Sequence, residues 1–246
     1  MLTPYKYQNR FYRKWVRPKD LYVECLAVKE TDLQILTDKR LDKEFIRERI
    51  LLYRRQIEAY IGKDERFLTS LKPIAVTQDA PFIVKEMAYA AKKANVGPMA
   101  AVAGAIAEML GKDLLRKGYK DIIIENGGDI FLASTKARSI RIYAGRLKKW
   151  KGLALKIKPE DTPIGVCTSS GTIGHSLSFG CADSVVVLSR NVFLADAVAT
   201  ACGNLINSKS SLPKALHFAS SIKGIQGVVI VFGSNLAAWG KVEFLY

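Results

Sequence analysis

Residues 98–110 read P-M-A-A-V-A-G-A-I-A-E-M-L, a helical stretch whose side chains are almost all small or apolar. A helix with so few polar groups is stable only when it is enclosed and other backbone packs closely against it. Gly104 lies inside this stretch, where glycine costs stability relative to alanine. Its place there implies that another backbone, or a ligand, comes close at that point. The chain must therefore fold around a buried helix running from Pro98 to about Lys117.

What can surround such a helix follows from the patterns on either side. Segments of about 5–17 and 21–37 read as strands, with turns at Asp20 and at Glu30-Thr31-Asp32. From Asp42 to about Ser70 the period changes, and Phe45, Ile46, Ile50, Leu51, Tyr53, Ile57 and Ile61 recur at helical spacing. Thr77-Gln78-Asp79-Ala80-Pro81 reads as a helix entry, with Asp79 or Thr77 as cap and Pro81 in the first turn. That helix is predicted to run to about 94 and to end near Asn95-Val96-Gly97.

Beyond the buried helix the chain is mostly strands, at Asp121–Glu125, Ile130–Ala133, Ser139–Ala144, Leu153–Ile157, Gly165–Thr168 and Val185–Leu188. Helices of about 192–207 and 212–221 follow. A closing pair, Gly227–Phe232 and Trp239–Phe244, flanks a Gly233-Ser234-Asn235 turn. Hairpin-like neighbours and clustered helices indicate an α+β fold of largely antiparallel sheets packed with helices. The chain of 246 residues is 49% hydrophobic and has no linker or repeat. We expect one domain over 1–246, with the strands and helix of 1–72 packed on a 73–246 core.

No apolar run approaches the roughly 20 residues of a membrane span, and residues 1–10 lack the apolar core of a secretory signal. The expectation is a cytoplasmic protein with no membrane partner. Cys25, Cys167, Cys181 and Cys202 show no C-x-x-C spacing and are expected to be reduced and largely buried. The formal net charge of +15 favours anionic partners. Residues 1–17 carry Lys6, Arg10, Arg13, Lys14 and Arg17, no acid, and interleaved aromatics. Such a segment can stack bases and hold phosphates. It can equally be an edge strand whose cations block further pairing. RNP-like, KH and zinc-finger signatures are absent, so nucleic acid is not the expected partner, and an RNA- or protein-binding module stays as an alternative.

Three polar insertions sit beside these apolar elements. In A-D-A-V-A-T, Asp196 and Thr200 are four apart, so on a helix their oxygens share a face. Hard cations such as Mg²⁺ take such ligands. Asp196 could instead complement a helix dipole. Thr168, Ser169, Ser170 and Gly171 can offer hydroxyls and amides to an anion, although the turn matches neither a Walker A loop nor a nucleophile elbow. Asn126-Gly127-Gly128-Asp129 ends a strand. Its glycines allow close ligand approach, and they also suit a tight hairpin. His175, in the same polar turn, could bond phosphate or move a proton, whereas His217 reads as structural. Cys167 and Cys181 flank that turn. A thiolate there would give a different chemistry, cysteine-based sulfur transfer.

The order N-G-G-D, T-S-S-G with a nearby histidine, then a strand and A-D-A-V-A-T resembles the ApbE family of FAD:protein FMN transferases. The resemblance covers roughly residues 97–207 and is most specific at Ala195–Thr200. It implies that Asp196 and Thr200 are Mg²⁺ ligands. Val102-Ala103-Gly104 is similar in place to the family's Ala-Lys-Gly, which implies a third ligand in the Val102 carbonyl. It further implies FAD or a related flavin nucleotide at Gly104 and the two turns, and His175 and Asp196 as catalytic residues. The implied reaction is FMN transfer to a threonine of a protein substrate. Expected partners are thus a small-molecule nucleotide, a protein substrate and a second copy of the chain. Three departures stand out. Ala103 replaces the family's lysine, and His175-Ser176-Leu177-Ser178 replaces His-Ile-Ile-Asp-Pro-Arg-Thr-Gly. The N-terminal Met-Gly-Thr is absent. The chain therefore resembles a shorter branch of the superfamily.

Overall fold

In a computed structural model, which describes residues 13, 19–143, 147–171 and 180–245, the strands follow one another across an antiparallel meander. The large sheet has eight strands: β1 (Tyr22–Val28), β2 (Thr31–Thr37), β3 (Ile122–Asn126), β4 (Asp129–Ala133), β7 (Ile164–Ser169), β8 (Ser184–Ser189), β9 (Ile225–Phe232) and β10 (Asn235–Gly240). They pair in that order, each antiparallel to its neighbour. A second sheet has three strands, with β6 (Ala154–Ile157) between β5 (Arg138–Arg141) and β11 (Phe244–Leu245). Helices α1 (Lys43–Lys63), α2 (Arg66–Thr69), α3 (Phe82–Ala94) and α4 (Val102–Arg116) all fall between β2 and β3. Helices α5 (Val192–Leu205) and α6 (Leu212–Ser221) fall between β8 and β9.

Period-two alternation divides the apolar side chains of the large sheet between two cores. Leu33, Ile35, Ile124, Phe131, Cys167 and Val187 face the helices. Leu36, Ile123, Leu132, Val166 and Val186 face the small sheet and pack with Ile142, Trp150, Leu155 and Ile157. The fold is therefore α+β, as expected. Helix α1 buries Ile46, Ile50, Tyr53 and Ile57 from its three-four stripe, and Asp42 caps it by accepting from Phe45 N at 3.1 Å. α4 is buried along most of its length, and it is entered through a 3₁₀ turn at Pro98–Ala101. Among the described residues no helix is long and apolar enough to cross a membrane.

Several local expectations change. Pro81, not Asp79 or Thr77, occupies the cap position of α3, and no side chain caps that helix. The first hairpin turns at Lys29-Glu30, with Lys29 at φ 53°, so Thr31 and Asp32 already belong to β2. The last predicted strand is cut at Gly240. A Cβ there would lie 2.2 Å from the Gln226 carbonyl oxygen, and φ is +83°. The chain then leaves β10 and joins the small sheet. Cys167 and Cys202 are buried, but Cys25 and Cys181 are exposed. Of the basic N-terminal segment only Arg13 lies within the described residues.

Candidate functional site

Helices α4 and α5 meet near their N-terminal ends, and each supplies the carboxylate that caps the other. Asp196 of α5 accepts the Gly104 N–H of α4 at 2.8 Å. Glu108 of α4 accepts the Val192 N–H of α5 at 2.5 Å through one oxygen and holds Lys112 Nζ at 2.5 Å through the other. A carboxylate at a helix start satisfies open N–H groups and complements the dipole. The contact is close because Gly104 has no side chain. A Cβ there would fall 2.7 Å from the Val192 carbonyl oxygen and 2.9 Å from Asp196 Cβ. Backbone and Asp196 thus fill the space beside Gly104. Glu108 was missed in the sequence. Its signal was a single acid in an apolar helical run, which a buried position at 3% exposure explains.

The β3–β4 turn comes to the same place. Gly127 and Gly128 hold φ of 68° and 106°, so Asn126 and Asp129 pair directly across a two-residue hairpin. Asn126 Nδ2 donates to the Ala103 carbonyl at the head of α4, at 3.1 Å. Asp129 accepts the Thr168 N–H at 3.2 Å. Gly127 is exposed and Gly128 half-buried, leaving the turn open on one side.

Helix α5 packs on β7, and its start comes close to the strand: a Cβ on Gly165 would lie 2.9 Å from Val192 Cα. The other end of α5 meets the segment after β7, where a Cβ on Gly180 would lie 1.8 Å from the Gly203 carbonyl oxygen. Four helical residues and two strand residues both advance about 6 Å. Asp196 therefore comes level with Cys167, whose thiol feels its charge. Cys167 is fully buried, with its Sγ 3.7 Å from the Val192 carbonyl. Ser169 is also buried, and its hydroxyl has no hydrogen-bond partner among the described residues. Thr200 and Val102 are half-buried. Ser170 and Gly171 are engaged within the chain, by the Asp183 carbonyl at 2.8 Å and the Ala182 carbonyl at 2.9 Å. Thr168 is half-buried at the strand end. His175 lies outside the described residues, and His217 is exposed on α6.

The electrostatics of this cluster are unusual. Burial, followed by the charge of Asp196, raises the Asp129 carboxyl well above its ordinary value. Burial pushes Asp196 up to about 7 against the opposing pull of the α4 backbone N–H groups. Cys167 is raised by burial and then by Asp129 and Asp196. A thiol between two acids with no solvent access stays protonated, which corrects the thiolate reading for this residue. Among the described residues no group of three or more His, Cys, Asp and Glu side chains could hold a metal. A cation would need hydroxyl, carbonyl and ligand oxygens beside Asp196. That suits a hard ion and not zinc.

The architecture matches solved flavin transferases at low sequence identity. The flavin transferase ApbE from Vibrio cholerae aligns with a TM-score of 0.59 at 14% identity, covering 90% of this chain and 97% of that one. The Pseudomonas stutzeri flavinyl transferase ApbE, in its apo form, gives 0.57 at 14%, covering 90% and 95%. The fold is thus that of ApbE flavin transferases. The family model described as AbpE bacteria matches residues 13–223, and the chain belongs to that family. Among its relatives, a UPF0280 protein of Methanocaldococcus jannaschii is 43% identical over 225 residues, 89% of this chain and 91% of that one. A UPF0280 protein of Methanococcus vannielii is 40% identical over 230 residues, 92% and 93%.

Proposed function

We propose that this chain binds a flavin nucleotide together with a divalent cation, Mg²⁺, at the α4–α5 crossing. The observation that carries the reading is the pair of carboxylates Asp129 and Asp196 buried together at the head of the two helices, where burial raises both and the charge of Asp196 raises Asp129 further. A cation at that position removes the repulsion. Asp196, the Thr200 hydroxyl and the Val102 carbonyl would hold it, and these hard oxygen donors fit Mg²⁺. When bound, it would neutralise a pyrophosphate and stabilise a leaving phosphate.

The residues of the chain have separate tasks in this reading. The open Gly127-Gly128 turn admits the ligand close to the backbone, and the Ser169 hydroxyl, without a hydrogen-bond partner among the described residues, supplies a further polar contact. Asn126 fixes the Ala103 carbonyl and with it the start of α4. Transfer of FMN from FAD to a threonine of a protein substrate is the reaction such a complex would serve, with His175 moving the proton. Ala103, where ApbE transferases carry lysine, leaves phosphate binding to the cation and the backbone. Calorimetric titration with FAD, FMN and ADP tests the reading. Binding should be tighter in MgCl₂ than in EDTA and should lose its Mg²⁺ dependence in Asp196→Asn. No binding of any of the three by folded protein removes the proposal.

A further inference from the structure

Arg13 comes from a segment that could have been a solvated, anion-seeking arm. Instead its side chain is only 10% exposed and is held on three bonds. Nε donates to Glu125 Oε2 at 2.5 Å, Nη1 to Asp32 Oδ1 at 2.8 Å and Nη2 to the Asp32 carbonyl at 2.8 Å. The guanidinium therefore joins the β2 end to the β3 end through its rigid fork.

Glu125 is the link to the ligand turn. Its second oxygen, Oε1, accepts the Gly128 N–H at 2.9 Å. Alternation places Glu125 on the sheet face opposite the helices, with Ile123 and Ile130. Asn126 and Asp129 face the other way, into the site. The turn is thus gripped from both faces, by Asn126 on α4 from one and by the Arg13–Glu125 pair from the other. Gly127 and Gly128 both adopt left-handed φ, a conformation with little intrinsic restraint in glycine. The hairpin pairing of Asn126 with Asp129 sets the turn, and the bond from Gly128 N to Glu125 adds a restraint on the orientation of its peptide.

We propose that Arg13 is a positioning residue of the ligand site, orienting Glu125 so that it fixes the Gly128 peptide. The inference rests on the flavin-site reading for its functional consequence, but its structural half stands apart from it. Arg13 is accordingly part of the site's frame.

The test uses Arg13→Gln, Arg13→Lys and the double variant Arg13→Gln/Glu125→Leu, with two readouts on the full chain. Amide exchange by NMR follows Gly128 N–H, with Gly104 N–H as the internal control, and calorimetry follows FAD in MgCl₂. Arg13→Gln should speed exchange at Gly128 at least tenfold, leave Gly104 unchanged and weaken FAD at least tenfold. Arg13→Lys should recover part of both, because an ammonium restores the charge without the fork. Should Arg13→Gln fail to fold because the Glu125 carboxylate has lost the guanidinium, the double variant removes both that charge and the acceptor and should still expose Gly128. Gly128 protection within twofold of the parent in whichever variant folds overturns the proposal. So does weakened FAD binding with Gly128 protection intact. If the parent protein itself does not bind FAD, the flavin reading fails, and Gly128 exchange alone then decides the role of Arg13.

Discussion

Gly104→Ala is the sharpest probe of how the site is assembled. The added Cβ would lie 2.7 Å from the Val192 carbonyl oxygen, 2.9 Å from Asp196 Cβ and 3.2 Å from Asp196 Oδ2. The first is backbone and cannot rotate away, so α4 and α5 must separate. Overpacking of this kind costs about 1–3 kcal/mol. Weakening the 2.8 Å bond from Gly104 N to a carboxylate adds roughly 1.5 kcal/mol. Alanine returns up to about 1 kcal/mol through its better helix propensity. The net is a destabilisation of about 2 kcal/mol, or a fall of about 4–8 °C in Tm for a chain of this size. Gly62→Ala is the matched control. Gly62 lies in α1, with nothing within 4 Å of its Cβ position. Only propensity acts there, and Tm should rise slightly. Both variants are read by thermal and urea unfolding in the same buffer. A Gly104→Ala protein as stable as the parent would refute the close-contact argument.

Three further outcomes follow from the buried charges. Asp196, raised from 3.8 to about 7, holds its proton more tightly folded than unfolded. In EDTA its contribution is full below about pH 4 and is lost as pH rises towards 7, by at most roughly 4 kcal/mol. Asp196→Asn should flatten that slope in a Tm-versus-pH series, and an unchanged slope would count against it. Asp121 behaves oppositely. Ser134, Thr135 and Arg138 hydrogen bonds hold it down to about 2. Its roughly 2 kcal/mol is present above about pH 4 and lost as pH falls through 2, so Asp121→Asn should match the parent only in strong acid. Glu108→Ala leaves the Val192 N–H without its acceptor and should cost about 1–2 kcal/mol. Faster amide exchange at Val192 would localise the loss, and unaltered exchange there would contradict it.

The parts of the fold written in local periodicity were legible. The stripe from Ile46 to Ile57 announced α1, and the all-small run around Gly104 announced a helix against backbone. Asn126–Asp129 gave the hairpin because two adjacent glycines need no tertiary help to turn. What escaped depends on partners remote in sequence. Nothing near Cys167 indicates that Asp129 and Asp196 will surround it, so its burial was legible from the sequence but not the two carboxyls that disfavour a thiolate there. Asp79 has the composition of a cap but lies two residues before Pro81, which takes the cap position. The last long strand lies at Asn235–Gly240, not Trp239–Phe244, and it ends at a glycine with φ +83° whose Cβ position is closed by the Gln226 carbonyl oxygen. Arg13 looked like a surface cation because its acceptors, Asp32 and Glu125, lie 19 and 112 residues away.

The reciprocal capping of α4 and α5 also sets an order of events during synthesis. Gly104 and Asp196 are 92 residues apart. At about 5–20 residues per second, a ribosome needs roughly 5–18 s to go from one to the other. Throughout that interval α4 has α1 and α3 to pack on but lacks α5 and the Asp196 cap, and chaperones would meet the apolar face that α5 later covers. The site can close only after α5 has emerged, so a nascent chain halted before Asp196 should be captured by hydrophobic-binding chaperones and released when elongation resumes.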